Sequence, residues 1–331
     1  MRSIVLTFVL AACTSSTEVG GADDAPPPDA CVPADDKVDL ALDHGWALDA
    51  MALDERGPWV VLEKRRDNVS SFVIADRTGE VATLLDGITQ TSGLAIAPVV
   101  VDGKRCIAMH VFDEVFRLAC EGGSVEMPGL DIDGRLAAVQ GPDGAVHVFG
   151  QDFAAYHELR REAGRWRGVE KFESSISTAE DAVRFAGGVA SCFLSTDDRP
   201  SIDRDDDIVY GSGTARWCRL IPGSELGVLT NLGLATVTGN ALGDWQPTGI
   251  DVRPLAVGRR DGAPFAVVHR EDRVELQPLP TGSPTVLRTL AGSENAHAVI
   301  DGSRVFVIAV KPIFEASSTR YELISSTRCM E

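Results

Sequence analysis

Basic residues are scarce in this 331-residue chain: 31 Lys and Arg stand against 49 Asp and Glu, a formal net charge of −18. Such an excess of negative charge opposes any broad attraction to phosphate backbones, so nucleic acid is excluded as a partner. Catalytic signatures are missing as well. The six histidines, at positions 44, 110, 147, 157, 269 and 297, are accompanied by no H-E-x-x-H, G-x-S-x-G, Walker A or dinucleotide fingerprint, and no organic cofactor is expected. No C-x-x-C pair or Cys/His cluster has zinc spacing. No apolar stretch reaches the ~20 residues that span a bilayer as a helix. What is present is a 44% hydrophobic content, 32 Gly, 17 Pro and 7 Cys. That composition can build a large core, needs many turns and suits an oxidising compartment.

Met1 and Arg2 precede an apolar run from Ile4 to Leu10, which ends in Leu10-Ala11-Ala12-Cys13. A charged start, an apolar middle and a small-residue end make a secretory signal. Its last four residues resemble the lipobox of bacterial lipoproteins. The resemblance implies cleavage before Cys13, which then carries lipid and anchors the protein to a membrane by lipid alone. Thr14 in place of Asp favours the outer membrane in the enterobacterial version of that family. Loss of residues 1–12 removes one charge, Arg2, and leaves −19. The stretch from Thr14 to Asp36, with Asp23-Asp24-Ala25-Pro26-Pro27-Pro28-Asp29, has almost nothing to bury and reads as a disordered tether.

Beyond the tether, short turns recur between apolar runs: Arg56-Gly57, Asp102-Gly103, Asp143-Gly144, Asp261-Gly262 and Asp301-Gly302. These are hairpin signals, each followed by a β-rich segment such as Cys106-Ile107-Ala108-Met109-His110. Four-stranded units can be drawn around them. In the second unit the strands are Leu94 to Val101, Arg105 to Val111, Val115 to Glu121 and Ser124 to Met127. In the third they are Leu136 to Val139, Ala145 to Phe149, Tyr156 to Glu162 and Trp166 to Phe172. A helix over Phe153 to Ala163 is the less consistent choice among regularly spaced hairpins. The fourth unit is irregular, with strands Asp181 to Ala186, Val189 to Ser195, Thr214 to Ile221 and Leu226 to Leu232, an enlarged loop at Thr196 to Gly213 and an extra segment at Gly233 to Gly249. Repeats of about 40 to 50 residues indicate a β-propeller. A period of about 49 over residues 36–331 gives six blades, with a β-sandwich as the structural alternative.

The cysteines left after Cys13 allow 15 pairings, and strand register selects one. Cys106 and Cys120 face each other across the second and third strands of the second unit. Cys192 and Cys218 occupy the corresponding strands of the fourth. Cys31 and Cys329 remain, joining the two ends of the domain. The last unit has only three strands, near Ala296 to Ile300, Arg304 to Val310 and Thr319 to Ser325, while Lys37 to Asp43 is an orphan. The N-terminal strand is therefore expected to complete the last blade.

Residues 37–331 thus resemble a six-bladed β-propeller of an extracytoplasmic bacterial lipoprotein. The tract from Gly141 to Phe172, with its Asp143-Gly144 turn, Tyr156 and Gly164-Arg165-Trp166, is similar to blade repeats of bacterial propellers. Sialidase-type Asp boxes and YWTD repeats are absent, so those activities do not transfer. The organisation expected is a signal peptide over 1–12, a lipidated Cys13 and tether over 13–36, and the propeller over 37–331.

Candidate ligand residues follow from comparing equivalent positions. Eight residues after the first residue of each turn come Lys64, His110, Gln151, His269 and Ala309, which the register gathers at one end of the propeller. Neighbouring turns add Asp67, Asp113, Glu114, Asp152 and Asp272. The starts of the first strands bring Asp49, Asp181, Asp251 and His297 toward the central channel, a default binding pocket in this architecture. Asp203, Asp205 and Asp207 have the D-x-D-x-D spacing of a calcium loop, with Ile208 where Gly normally follows. Two functions are expected from these residues. One is a monomeric envelope module that binds or scaffolds a protein, peptide or glycan. The alternative is a calcium-dependent hydrolase or lactonase of the kind found among six-bladed propellers.

Overall fold

The computed structural model describes residues 31–330 apart from 90–93, 112–115, 130–131, 152–154, 174–177, 205–206, 291–294 and 315–318. The signal segment, Cys13, Asp113, Glu114, Asp152 and Asp205 lie outside the described residues.

Strand β1 (Ala34–Leu40) is followed by blade 1, made of β2 (Trp46–Asp54), β3 (Gly57–Arg66), β4 (Val69–Asp76) and β5 (Val81–Thr89). Blade 2 holds β6 (Leu94–Val101), β7 (Lys104–Val111), β8 (Arg117–Cys120) and β9 (Ser124–Glu126). Blade 3 holds β10 (Asp133–Gln140), β11 (Val146–Gln151), β12 (Ala155–Glu162) and β13 (Arg165–Glu173). Blade 4 holds β14 (Thr178–Phe185), β15 (Gly188–Leu194), β16 (Pro200–Arg204) and β17 (Asp207–Tyr210). Blade 5 holds β18 (Cys218–Ile221), β19 (Leu226–Thr230), β20 (Gly233–Thr238) and β21 (Ala241–Leu242). Blade 6 holds β22 (Ala256–Arg260), β23 (Ala263–Arg270), β24 (Arg273–Pro278) and β25 (Thr285–Thr289). Blade 7 holds β26 (Asn295–Asp301), β27 (Arg304–Phe314) and β28 (Thr319–Cys329), completed by β1, which pairs antiparallel with β28.

The seven four-stranded sheets form a ring in which the first strand of each blade contacts the first strand of the next, β26 closing onto β2. The fold is a seven-bladed β-propeller, which corrects the expected six blades and excludes the sandwich. The missing blade was hidden in the irregular fourth unit. Its enlarged loop, Thr196 to Gly213, contains the short strands β16 and β17. Its third and fourth strands, Thr214 to Ile221 and Leu226 to Leu232, overlap the first two strands of blade 5. The extra segment, Gly233 to Gly249, contains β20 and β21.

Alternation explains the apolar runs. A strand sends successive side chains to opposite faces, and each blade is sandwiched between two others. On β7, Cys106 and Ala108 pack toward blade 3 while Ile107 and Met109 pack toward blade 1. All four are fully buried, so the strand is apolar on both faces. Buried hydrophobic residues form seven clusters among the described residues, one at each interface between adjacent blades. At the Asp102-Gly103 turn both residues have positive φ, 50° and 74°. The tight hairpin turn between right-handed strands requires that conformation.

Cys106 and Cys120 are bonded within blade 2, with Cα atoms 4.0 Å apart and directly opposite in register. Cys192 and Cys218 are also bonded, but the expected location in one blade is corrected: Cys192 lies on β15 and Cys218 opens β18, so the bond ties blade 4 to blade 5. Cys31 and Cys329 are each disulfide-bonded.

Candidate functional site in the central channel

The first strands of all seven blades wall a central cavity of about 780 Å³. Regular pairing sends their side chains sideways, into the clusters between blades, and leaves the backbone edge toward the lumen. A β-bulge breaks this rule by inserting a residue that the ladder does not pair, which re-aims its side chain. Register shifts occur around Asp49 on β2, around Gly134 to Leu136 on β10 and around Glu180 on β14. Three charged residues, Asp49, Arg135 and Glu180, sit in those irregularities.

Glu180 is the centre of a charged group. Its side chain is almost fully buried, Arg135 donates to its Oε1 at 2.7 Å, and Arg253 stands 3.4 Å from its Oε2. Arg253, on the segment leading into β22, also donates to the Glu180 backbone carbonyl at 2.7 Å. Next to it, Asp181 accepts from the backbone N–H of Leu220 at 2.9 Å and from Arg219 Nη1 at 3.3 Å. Arg219 in turn donates to the Pro254 carbonyl at 3.2 Å. Blades 3, 4, 5 and 6 are therefore connected around one side of the channel.

Desolvation by the surrounding protein is the largest influence on protonation there. Burial raises the Glu180 carboxyl above its ordinary value even though Arg253 and Arg135 pull it down. Burial, together with Arg219, lowers Arg253 to about 10. His297, on β26, is pushed down to about 4 by burial and by Arg219, and is neutral at physiological pH. Asp49, open to the lumen, is raised to about 6 by partial desolvation and by Glu63. Each shift disfavours the charged form, as desolvation requires.

Of the channel residues expected from sequence, Asp49, Asp181 and His297 line this cavity. Asp251 does not. It is exposed, and its carbonyl accepts from Trp217 Nε1 at 3.5 Å. Lys64, His110, Gln151 and His269 stand on the second strands of blades 1, 2, 3 and 6, one strand out from the channel, and none lines it. Lys64 is paired with Asp43 and lies 5.8 Å over the Trp46 ring. Asp272 is in the β23–β24 turn, 3.4 Å from Arg273, and its carbonyl accepts from Leu290 N at 2.7 Å. Arg135, Glu180, Arg219 and Arg253 were not anticipated. The available signal was charge within or beside an inner strand, as in Ala179-Glu180-Asp181 and Cys218-Arg219-Leu220.

The expected calcium loop falls on two paired strands, with Asp205 between them outside the described residues. Asp203 lies on β16 and Asp207 opens β17, with Arg204 paired to Asp207. The Asp203 carboxylate is buried toward blade 3, where Lys171 stands 3.4 Å away. Among the described residues no group of three or more His, Cys, Asp or Glu is arranged to hold a metal ion.

Lys171 belongs to a second charged group, between blades 3 and 4. It pairs with Glu158 Oε2 at 2.8 Å, while His147 Nδ1 meets Glu158 Oε1. Strand alternation puts them there: Val146 and Val148 face blade 2, so His147 faces blade 4 with Phe149. Burial opposes the charged form of Glu158, but the hydrogen bonds from His147 and Lys171 outweigh it and hold the carboxyl at about 2.

No family model matches the sequence, and no curated protein sequence is similar to it. Solved structures share the fold. YCF48 from Cyanidioschyzon merolae aligns over 86% of this chain and 98% of its own with 11% identity and a TM-score of 0.53. The β-propeller domain of the Trilobed protease from Pyrococcus furiosus, described as having an open velcro topology, aligns over 86% and 98% with 12% identity and a TM-score of 0.49. The SapL1 lectin, solved with alpha methyl fucoside, aligns over 83% and 94% with 12% identity and a TM-score of 0.44.

Proposed function

We propose that this β-propeller is an extracytoplasmic binding module, anchored by lipid on Cys13 at the bacterial outer membrane, that takes its ligand in the central channel. The observation that carries the reading is the group of Glu180, Asp181, Arg219 and Arg253 on one side of an accessible cavity, with Arg135 of a further blade bonded to Glu180 from outside the lining. Concave pockets with a few convergent polar groups and perturbed protonation are where ligands bind. The bridges in blade 2 and between blades 4 and 5 suit an oxidising compartment. Among the described residues no helix is long and apolar enough to cross a membrane, which is compatible with attachment through the lipid.

The test is native mass spectrometry of the full chain after incubation with a small-molecule extract of the cell envelope. Wild type is expected to retain a discrete mass that Arg253→Met loses. An identical spectrum for the two proteins would refute the channel as the binding site. The anchor is tested separately by palmitate labelling, which Cys13→Ser should abolish. Full labelling of that variant would reject the lipobox reading.

A further inference from the structure

Two guanidinium groups line one side of the channel. Arg219 and Arg253 line the cavity beside Asp181 and Glu180, while Arg135, which also pairs with Glu180, stands outside the lining. The cations oppose one another: Arg219 and Arg135 both disfavour charged Arg253, and Arg219 disfavours a protonated His297. Two mutually repelling guanidinium groups thus line one side of the channel in a chain whose net charge is −18. A small anion entering the cavity would relieve that repulsion, and the planar fork of a guanidinium matches a carboxylate.

The opposite wall has the complementary defect. Asp49 is on blade 1, three blades from Glu180 on blade 4, the largest separation a seven-membered ring allows. It is accessible from the lumen, and among the described residues no side chain or backbone group donates to its carboxylate. The charge that acts on it is another acid, Glu63. No Phe, Tyr or Trp lines the cavity among the described residues, so the broad stacking face that sugar-binding sites commonly use is missing. The cavity, about 780 Å³, is of the size that encloses a small molecule.

Resting on the channel as the binding site, we propose that its ligand is a small zwitterion, an amino acid or a short peptide. The carboxylate is held on the side of Arg219 and Arg253, and the ammonium group on the side of Asp49. The carboxyl and amino ends of alanine, Ala-Ala and Ala-Ala-Ala share this chemistry at increasing separation, so the length that binds best measures the distance between the two walls.

The experiment is isothermal titration of the full chain with these three compounds, and with the C-terminally amidated and the N-acetylated form of the one that binds best. At least one unmodified compound is expected to bind. Amidation should weaken it by about tenfold or more, and Arg253→Met should remove the difference between acid and amide. N-acetylation should weaken binding to wild type similarly but leave binding to Asp49→Asn unchanged. Absence of saturable binding by all three compounds at millimolar concentration, or equal affinity for acid and amide, would overturn the assignment. If these probes fail while mass spectrometry still finds a ligand dependent on Arg253, the zwitterion is wrong and the channel stands. If both fail, the channel reading falls with it.

Discussion

Two groups of charged residues in this propeller are built from similar side chains and have opposite character. Between blades 3 and 4, Glu158 receives His147 on one oxygen and Lys171 on the other, and Lys171 also reaches Asp203. In the channel, Glu180 receives Arg135 on one oxygen, while the other has Arg253 at 3.4 Å and no hydrogen bond. The first carboxyl is held at about 2 and the second is raised. Burial acts on both; what differs is whether the partners complete their hydrogen bonds. The interblade group also occupies the interface with the smallest apolar cluster, where it supplies cohesion that the other interfaces draw from hydrophobic contact. The channel group holds no interface together by apolar packing and remains open to a ligand.

The comparison is broken most forcefully at Lys171. Lys171→Met leaves Glu158 and Asp203 buried without their shared cation, and chemical denaturation should show a loss of about 3–5 kcal/mol. Arg253→Met, in the channel, should cost about 1 kcal/mol or less, because its side chain is partly exposed and its partner Glu180 keeps Arg135. Equal losses for the two variants would erase the distinction.

The pH dependence of stability sharpens it. Glu158 has a lowered folded-state pKa, so its stabilisation is complete above its ordinary value of 4.5 and disappears as the pH falls through about 2. Wild type should therefore lose on the order of 3 kcal/mol across that window that Glu158→Gln does not lose. Asp49 has the opposite sign. Its raised value means that the folded state resists its ionisation, a penalty that develops as the pH rises from 3.8 through about 6. Asp49→Asn should thus be more stable than wild type at pH 7 and indistinguishable at pH 3, by less than about 1 kcal/mol once solvent access to the side chain is allowed for. The smallest effect is expected at the acidic hairpin: because Lys171 already faces Asp203, calcium and chelator should give the same melting temperature. A clear rise with calcium would favour the metal reading of Asp203, Asp205 and Asp207.

How much of this was legible in the chain depended on regularity. Blades 2 and 3 could be drawn from sequence because Asp102-Gly103 and Asp143-Gly144 separate strands that are apolar on both faces. The orphan N-terminal strand and the three-stranded last unit together pointed to closure of the ring through β1. Blades 4 and 5 could not be separated, because β16 and β17 are five and four residues long and carry aspartates that read as a loop. Expecting Cys192 and Cys218 within one blade strengthened the error, since a bond between blades satisfies the same spacing. That miscount also removed Arg219 from the channel by placing it on a third strand. Asp49, Asp181 and His297 are legible from their place near the starts of the first strands as drawn from sequence. Arg135 and Glu180 were missed because their position follows from bulges, which strand alternation does not encode.

The most direct test of the contrast is a carboxyl-carbon NMR titration of full-length protein labelled at glutamate, with Glu158→Gln and Glu180→Gln supplying the assignments. Glu158 is expected to titrate near 2 and Glu180 above 4.5. A Glu180 carboxyl that titrates at or below 4.5 would mean that its arginines already satisfy it, and the channel would then be a closed structural ion cluster like the one between blades 3 and 4.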